Sequence, residues 1–277
     1  MGSVYPVVDS HCHTAVRSVK DFTDLAAAGI VPVGLAFWPL EPRSADTLLD
    51  NFDRMLDQLA GPIKETGVTG YVGLGIHPKN SHFTETPNQR KVLAALPDYL
   101  SRDYVACMGE VGLDTLDITE ERILYAQLEI ARDAGKPVVI HTPGKRKQDA
   151  LDRTIDILGQ VKMPPNLVVL DHITPELVSK ALSFGGKVGL TVKEGKLGAD
   201  DAIAILRANE SDVDRFLINS DFGYSASTAG ELTVVRATAD RIEEQLGVAA
   251  KVCRDNAAQL FGIPVHEKVR RPPRLKA

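Results

Sequence analysis

A chain of 277 residues with 44% hydrophobic content can bury a substantial core, as one barrel-sized domain or as two smaller ones. The formal charge of −5 and a pI near 5.8 argue against a protein that holds nucleic acid over a broad surface, although local basic patches stay open. Cys12, Cys107 and Cys253 show no C-x-x-C spacing, so they form no disulfide framework and suggest a reducing compartment.

The first residues lack the basic and then apolar character of a secretory signal, and no uncharged apolar run is long enough to span a bilayer. Met1-Gly2 does not begin a myristoylation signal, because Pro6 stands where Ser or Thr is required. The expectation is a cytoplasmic protein without membrane partners. Short β-branched runs then alternate with helical patterns along the chain. Strands are expected near Val4–Ser10, Val31–Phe37, Gly70–Ile76, Tyr104–Glu110, Pro137–His141, Leu167–Asp171, Lys187–Val192 and Phe216–Ser220. Helices are expected at Ala45–Leu59, Gln89–Leu100, Thr119–Ala134, Lys147–Leu158, Pro175–Ser183 and Asp200–Ala208.

Eight βα units in this length predict an α/β fold, a single-domain (β/α)8 TIM barrel over residues 1–265 with a basic tail at 266–277. An open doubly wound sheet is the structural alternative. Its first βα turn would carry a Gly-rich phosphate loop, whereas this one carries Asp9-Ser10-His11-Cys12-His13.

That histidine pair begins the functional pattern. Residues i and i+2 of a strand point the same way, so His11 and His13 can approach one metal ion while Cys12 faces away toward a helix. Glu110, His141, His172 and Asp221 each stand at the end of a later apolar run, on the side of a barrel where functional groups gather. Singly, each has a bland reading: a cap, a turn residue, a paired surface acid. Together they supply four imidazoles and two carboxylates with no thiolate, a set that suits Zn²⁺, Mn²⁺, Ni²⁺ or Mg²⁺. One ion needs only three or four donors, so the surplus favours two divalent ions bridged by a carboxylate, Glu110 being the natural bridge with Gly109 leaving room beside it. Such a pair would generate hydroxide near neutral pH, with Asp221 moving the proton.

His77, at the end of the third strand, faces the same mouth and is a candidate substrate contact or supporting residue, as are Lys145 and Lys193; Lys147 and Lys196 invite the same reading. His82 and His266 read as solvated.

With these residues in hand, the chain resembles the TatD family of metal-dependent hydrolases in the amidohydrolase superfamily. The resemblance rests on Asp9-Ser10-His11-Cys12-His13, Gly75-Ile76-His77-Pro78, Gly109-Glu110-Val111-Gly112-Leu113-Asp114, Val139-Ile140-His141, Asp171-His172, Ser220-Asp221 and Asn256-Ala257-Ala258-Gln259-Leu260-Phe261-Gly262. It implies a (β/α)8 barrel with His11, His13 and Asp221 on one metal, His141 and His172 on the other, and Glu110 between them. It also implies a closing helix in which Asn256 ties down the barrel while Leu260 and Phe261 pack. Members described as deoxyribonucleases usually carry Arg two residues after the strand-5 histidine, where Pro143 stands here. Ile173-Thr174-Pro175 and Asn219-Ser220-Asp221-Phe222-Gly223 depart as well.

The expected function is two-metal hydrolysis of a phosphoester, DNA or nucleotide included, or of a related ester or amide. Aminoacyl-tRNA and a small metabolite are alternative substrates. A metal- or ligand-binding scaffold without turnover is the reading from a different class. Net charge does not favour nucleic acid, and the pattern leaves the oligomeric state open.

Overall fold

In a computed structural model, described for residues 5–40, 42–60, 65–81, 86–223 and 229–264, eight parallel strands follow one another around a single sheet in sequence order. They are β1 (Val7–Cys12), β2 (Ile30–Leu35), β3 (Tyr71–Leu74), β4 (Val105–Gly112), β5 (Val138–His141), β6 (Val168–Leu170), β7 (Lys187–Thr191) and β8 (Phe216–Asn219). The connecting helices are α1 (Val19–Ala28), α2 (Ala45–Ala60), α3 (Thr86–Leu100), α4 (Ile118–Asp133), α5 (Lys147–Val161), α6 (Val178–Phe184), α7 (Ala199–Ala208) and α8 (Ala229–Leu246), with α9 (Asn256–Phe261) after them. The expected barrel is therefore present. Closure falls between β8 and β1, where the Asp221 amide donates to the His11 carbonyl at 2.9 Å and the His13 amide to the Phe222 carbonyl at 2.8 Å. Asp9 adds to the seam by accepting from the amide and hydroxyl of Ser220 at 3.0 and 2.5 Å.

Alternation along the strands divides the core. Val138, Ile140, Val168, Leu170, Phe216 and Ile218 pack outward into the layer shared with the helices, while Val139, Val169 and Leu217 fill the barrel interior. Parallel strands are covered on both faces in this way, which is why their sequences read as short continuous apolar runs. The interior is plugged by Ala257, Ala258 and Phe261 of α9. Asn256, fully buried, holds that plug by donating to the carbonyls of Val213 and Phe216, both at 2.8 Å.

The helices carry the matching stripes. On α2, Leu48, Phe52, Met55 and Leu59 recur at helical spacing and are all buried, each contributing roughly 1.5–3 kcal/mol by leaving water. Helix α1, absent from the elements expected above, has an N-terminal capping box, with the Asp21 amide donating to the Ser18 hydroxyl at 3.3 Å and the Ser18 amide to the Asp21 carboxylate at 3.0 Å. Gly29, at φ 68°, ends it in the left-handed conformation that glycine adopts most readily.

Boundaries shift modestly from expectation. β1 runs to Cys12, β4 continues past Glu110 to Gly112, and the helix expected at Pro175–Ser183 divides into a 3-10 turn at Pro175–Leu177 and α6. His82 and the tail expected at 266–277, including His266, lie outside the described residues. No helix among the described residues is long and apolar enough to cross a membrane.

Candidate metal centre

Five of the eight strands send donor side chains to the carboxyl-terminal mouth of the barrel, and Glu110 is their hub. Its side chain is 2% exposed. Oε1 lies 2.6 Å from His141 Nδ1 and 3.1 Å from His172 Nε2, and Oε2 lies 3.3 Å from His11 Nε2 and 3.7 Å from His13 Nε2. Asp221 closes the set, with Oδ1 3.2 Å from His13 Nε2 and 3.7 Å from His11 Nε2. All six residues expected as ligands therefore meet at Glu110, five of them lining one cavity and His11 buried behind it. Their donor atoms fall into overlapping triads, His11–His172–Asp221 and His11–His13–Glu110, with a third made by His77, Glu110 and His141; within each triad the atoms lie within 4.8 Å of one another.

The protons on these rings are fixed from behind. His11 Nδ1 donates to Asp171 Oδ2 at 2.5 Å, and His13 Nδ1 donates to the Leu35 carbonyl at 3.0 Å, so both rings aim Nε2 inward. Among the described residues, His11 Nε2 is fully buried with no hydrogen-bond partner. A buried nitrogen left unsatisfied is costly, and a cation between it and the carboxylates would relieve it. The residues thus fit a divalent metal on their own geometry.

Burial lowers the imidazoles of His11 and His141, but Glu110 outweighs it and raises both, a surplus of negative charge that a cation would meet. Burial opposes charge on Glu110, yet His11, His141 and His77 outweigh it and hold its carboxyl well below the usual range. Asp221 is likewise opposed by burial and held well below its ordinary value by His13, His11, His172 and Lys196. Burial drives His172 down to about 4, which keeps its ring neutral as a ligand requires.

His172 and Asp221 have φ of 57° and 45°, a left-handed conformation that costs a non-glycine residue on the order of 1 kcal/mol or more and concentrates at functional sites. Both lie two positions beyond the ends of β6 and β8.

His77 sits apart in role. Its Nδ1 accepts from the Lys79 amide at 3.0 Å, so the proton of the neutral ring rests on Nε2, 3.2 Å from Glu110 Oε2. It is a buried donor aimed at the hub, pushed down to about 4 by burial. Lys145 is exposed and lies off the cavity, whereas Lys147 lines it. Lys193 Nζ donates to the Asp221 carbonyl at 2.6 Å and supports the backbone there. The open side of Gly109 faces Val139, at 3.2 Å from where a Cβ would stand, and not the donor cluster as the sequence suggested.

Other residues of the centre had no assigned role in the sequence. Asp171, fully buried, accepts from His11, from the His172 amide at 2.7 Å and from Asn219 Nδ2 at 2.8 Å. Thr191 Oγ1 lies 2.7 Å from His172 Nδ1, and Asp114 Oδ1 lies 3.4 Å from His141 Nε2. Gly189 makes room for Asp171: a Cβ there would lie 1.9 Å from its Oδ1. Gly189→Ala is therefore expected to lower stability by about 1–3 kcal/mol and to weaken metal retention, as read by urea unfolding and metal analysis of the purified variant.

The centre opens into a cavity of about 480 Å³ whose walls include Phe37, Lys79, Thr142, Lys147, Ile173 and Lys196.

Comparison with known proteins gives a consistent picture. The family described as TatD related DNase matches residues 8–262. An uncharacterized metal-dependent hydrolase of Methanocaldococcus jannaschii is 32% identical over 219 residues, 78% of this chain and 84% of that protein. The crystal structure of a TatD-like protein from Archaeoglobus fulgidus superimposes with a TM-score of 0.76 at 26% identity, covering 92% of this chain and 99% of that one. The E. coli TatD homolog YjjV gives 0.66 at 18% identity over 93% and 98% of the two chains, a likeness of fold. With the match running through nearly every strand and through the histidine and carboxylate cluster, the chain belongs to the TatD family and is a metal-dependent hydrolase.

Proposed function

We propose that this hydrolase works with two divalent cations, His11, His13 and Asp221 holding one, His141 and His172 the other, and Glu110 spanning both. The observation that carries this reading is the convergence of five imidazoles, His77 among them, on one buried carboxylate, with His11 Nε2 left without a hydrogen-bond partner among the described residues. Zinc, manganese, nickel or magnesium bound there would supply Lewis acidity and an acidified water.

The chain's own groups do the rest. Asp171 and the Leu35 carbonyl fix the rings of His11 and His13. Asp221, ionised and reaching Lys196 through Oδ2 at 2.6 Å, takes a proton from the attacking water and returns it to the leaving group. His77 presents its Nε2 proton to Glu110 and steadies the hub.

The bond cleaved is a phosphoester or a related ester or amide. A cavity of about 480 Å³ suits a small molecule, and with the acidic net charge and Pro143 it favours such a substrate over nucleic acid. A panel of phosphodiesters, phosphomonoesters, lactones and amides tests the reading. Hydrolysis should vanish with EDTA and return on adding one of the four metals. Turnover indifferent to chelation would contradict it.

A further inference from the structure

Lys147 opens α5 and Lys196 lies in the loop after β7, yet both reach His172. Lys147 Nζ donates to the His172 carbonyl at 2.6 Å and to the Thr142 carbonyl at 3.4 Å. Lys196 Nζ lies 3.1 and 3.3 Å from the two nitrogens of the same ring. Both side chains line the cavity.

Their charges are incompletely met. Among the described residues Lys147 has no carboxylate within ion-pairing distance, only carbonyl dipoles. Lys196 has Asp221 at 2.6 Å, the carboxylate assigned above to a cation. With that carboxylate committed, two ammonium groups face one small cavity, an arrangement that favours an anion. Lys79 lines the same cavity.

We propose that the substrate is a small molecule bearing a terminal phosphate, and that Lys147 and Lys196 grip that phosphate. Two positive charges match the near-dianionic terminal group, whereas the internal diesters of a nucleic-acid strand carry one negative charge each. This rests on the cavity being the substrate site and on Asp221 serving the proposed metal centre, and it would explain how a chain with Pro143 and an acidic net charge receives a phosphate.

Titration calorimetry at about pH 7.5, where inorganic phosphate is mostly dianionic, tests it with zinc-loaded protein and, separately, with EDTA-stripped protein. Inorganic phosphate should bind the zinc-loaded protein about tenfold tighter than dimethyl phosphate, a monoanionic diester, and should bind the stripped protein more weakly, because Asp221 then pairs with Lys196. Lys147→Gln and Lys196→Gln should each weaken phosphate about tenfold, while the distant Lys20→Gln should leave it unchanged. Equal affinity for the two probes, unchanged affinity in the Lys147→Gln/Lys196→Gln double variant, or no saturable binding in either preparation would overturn the proposal. Metal content of the same samples reports separately on the metal centre: a protein that retains no zinc would remove the two-cation reading, whereas one that retains zinc without lysine-dependent phosphate binding would remove this proposal alone.

Discussion

Replacing Glu110 by Gln should lower kcat/KM about a thousandfold on any substrate the enzyme turns over, while the protein stays folded by circular dichroism. The amide keeps the shape but removes the one negative charge shared by His11, His13, His141 and His172. Losing the proposed bridge would withdraw several kcal/mol of electrostatic stabilisation from the transition state, and each ~1.4 kcal/mol is a factor of ten. The same variant should retain fewer equivalents of metal after dialysis. Near-normal turnover with full metal content would make Glu110 an ordinary buried acid balancing histidines, and the bridging role would fall.

The second large effect is expected one layer further out. Asp171→Asn should weaken metal affinity by about 10- to 100-fold, as measured by competition with a chromophoric chelator, although Asp171 is not proposed as a ligand. Its carboxylate accepts on both oxygens: from His11 on Oδ2, and from the His172 amide and Asn219 Nδ2 on Oδ1. Asparagine offers one acceptor and one donor in that place. Whichever way the amide turns, its NH2 group meets another N–H, and either His11 or the start of the β6 loop loses its anchor. Wild-type affinity in this variant would show that the His11 ring is oriented without it.

These two predictions mark the boundary between what the sequence displays and what it conceals. The eight strands are legible because each is a short apolar run buried on both faces and followed by a helical stripe such as Leu48, Phe52, Met55 and Leu59. The six donors are legible for a related reason: strand-end positions of a parallel barrel share one mouth, so histidines and acids at those places meet without any knowledge of tertiary contacts. Helix α1 carries its signals in Ser18, Asp21 and Gly29, close behind the histidine pair.

The supporting groups are different in kind. Asp171 and His11 are 160 residues apart, and nothing in the local pattern joins them. Gly189 looks like any strand glycine until the side chain of Asp171 is placed against it. The basic run Lys145-Arg146-Lys147 offered three cations, and only the start of α5 decides among them: Arg146 takes a left-handed conformation at φ 49°, Lys145 stays outside, and Lys147 enters the cavity. The left-handed φ of His172 and Asp221 was equally hidden, since neither residue type announces it.

Two cations are proposed to share one pocket. Crystals of the zinc-loaded protein, measured on both sides of the zinc absorption edge, test it directly. Two anomalous peaks should appear on either side of the Glu110 carboxylate, one against His11, His13 and Asp221 and the other against His141 and His172. A single peak, or peaks away from Glu110, would contradict the account.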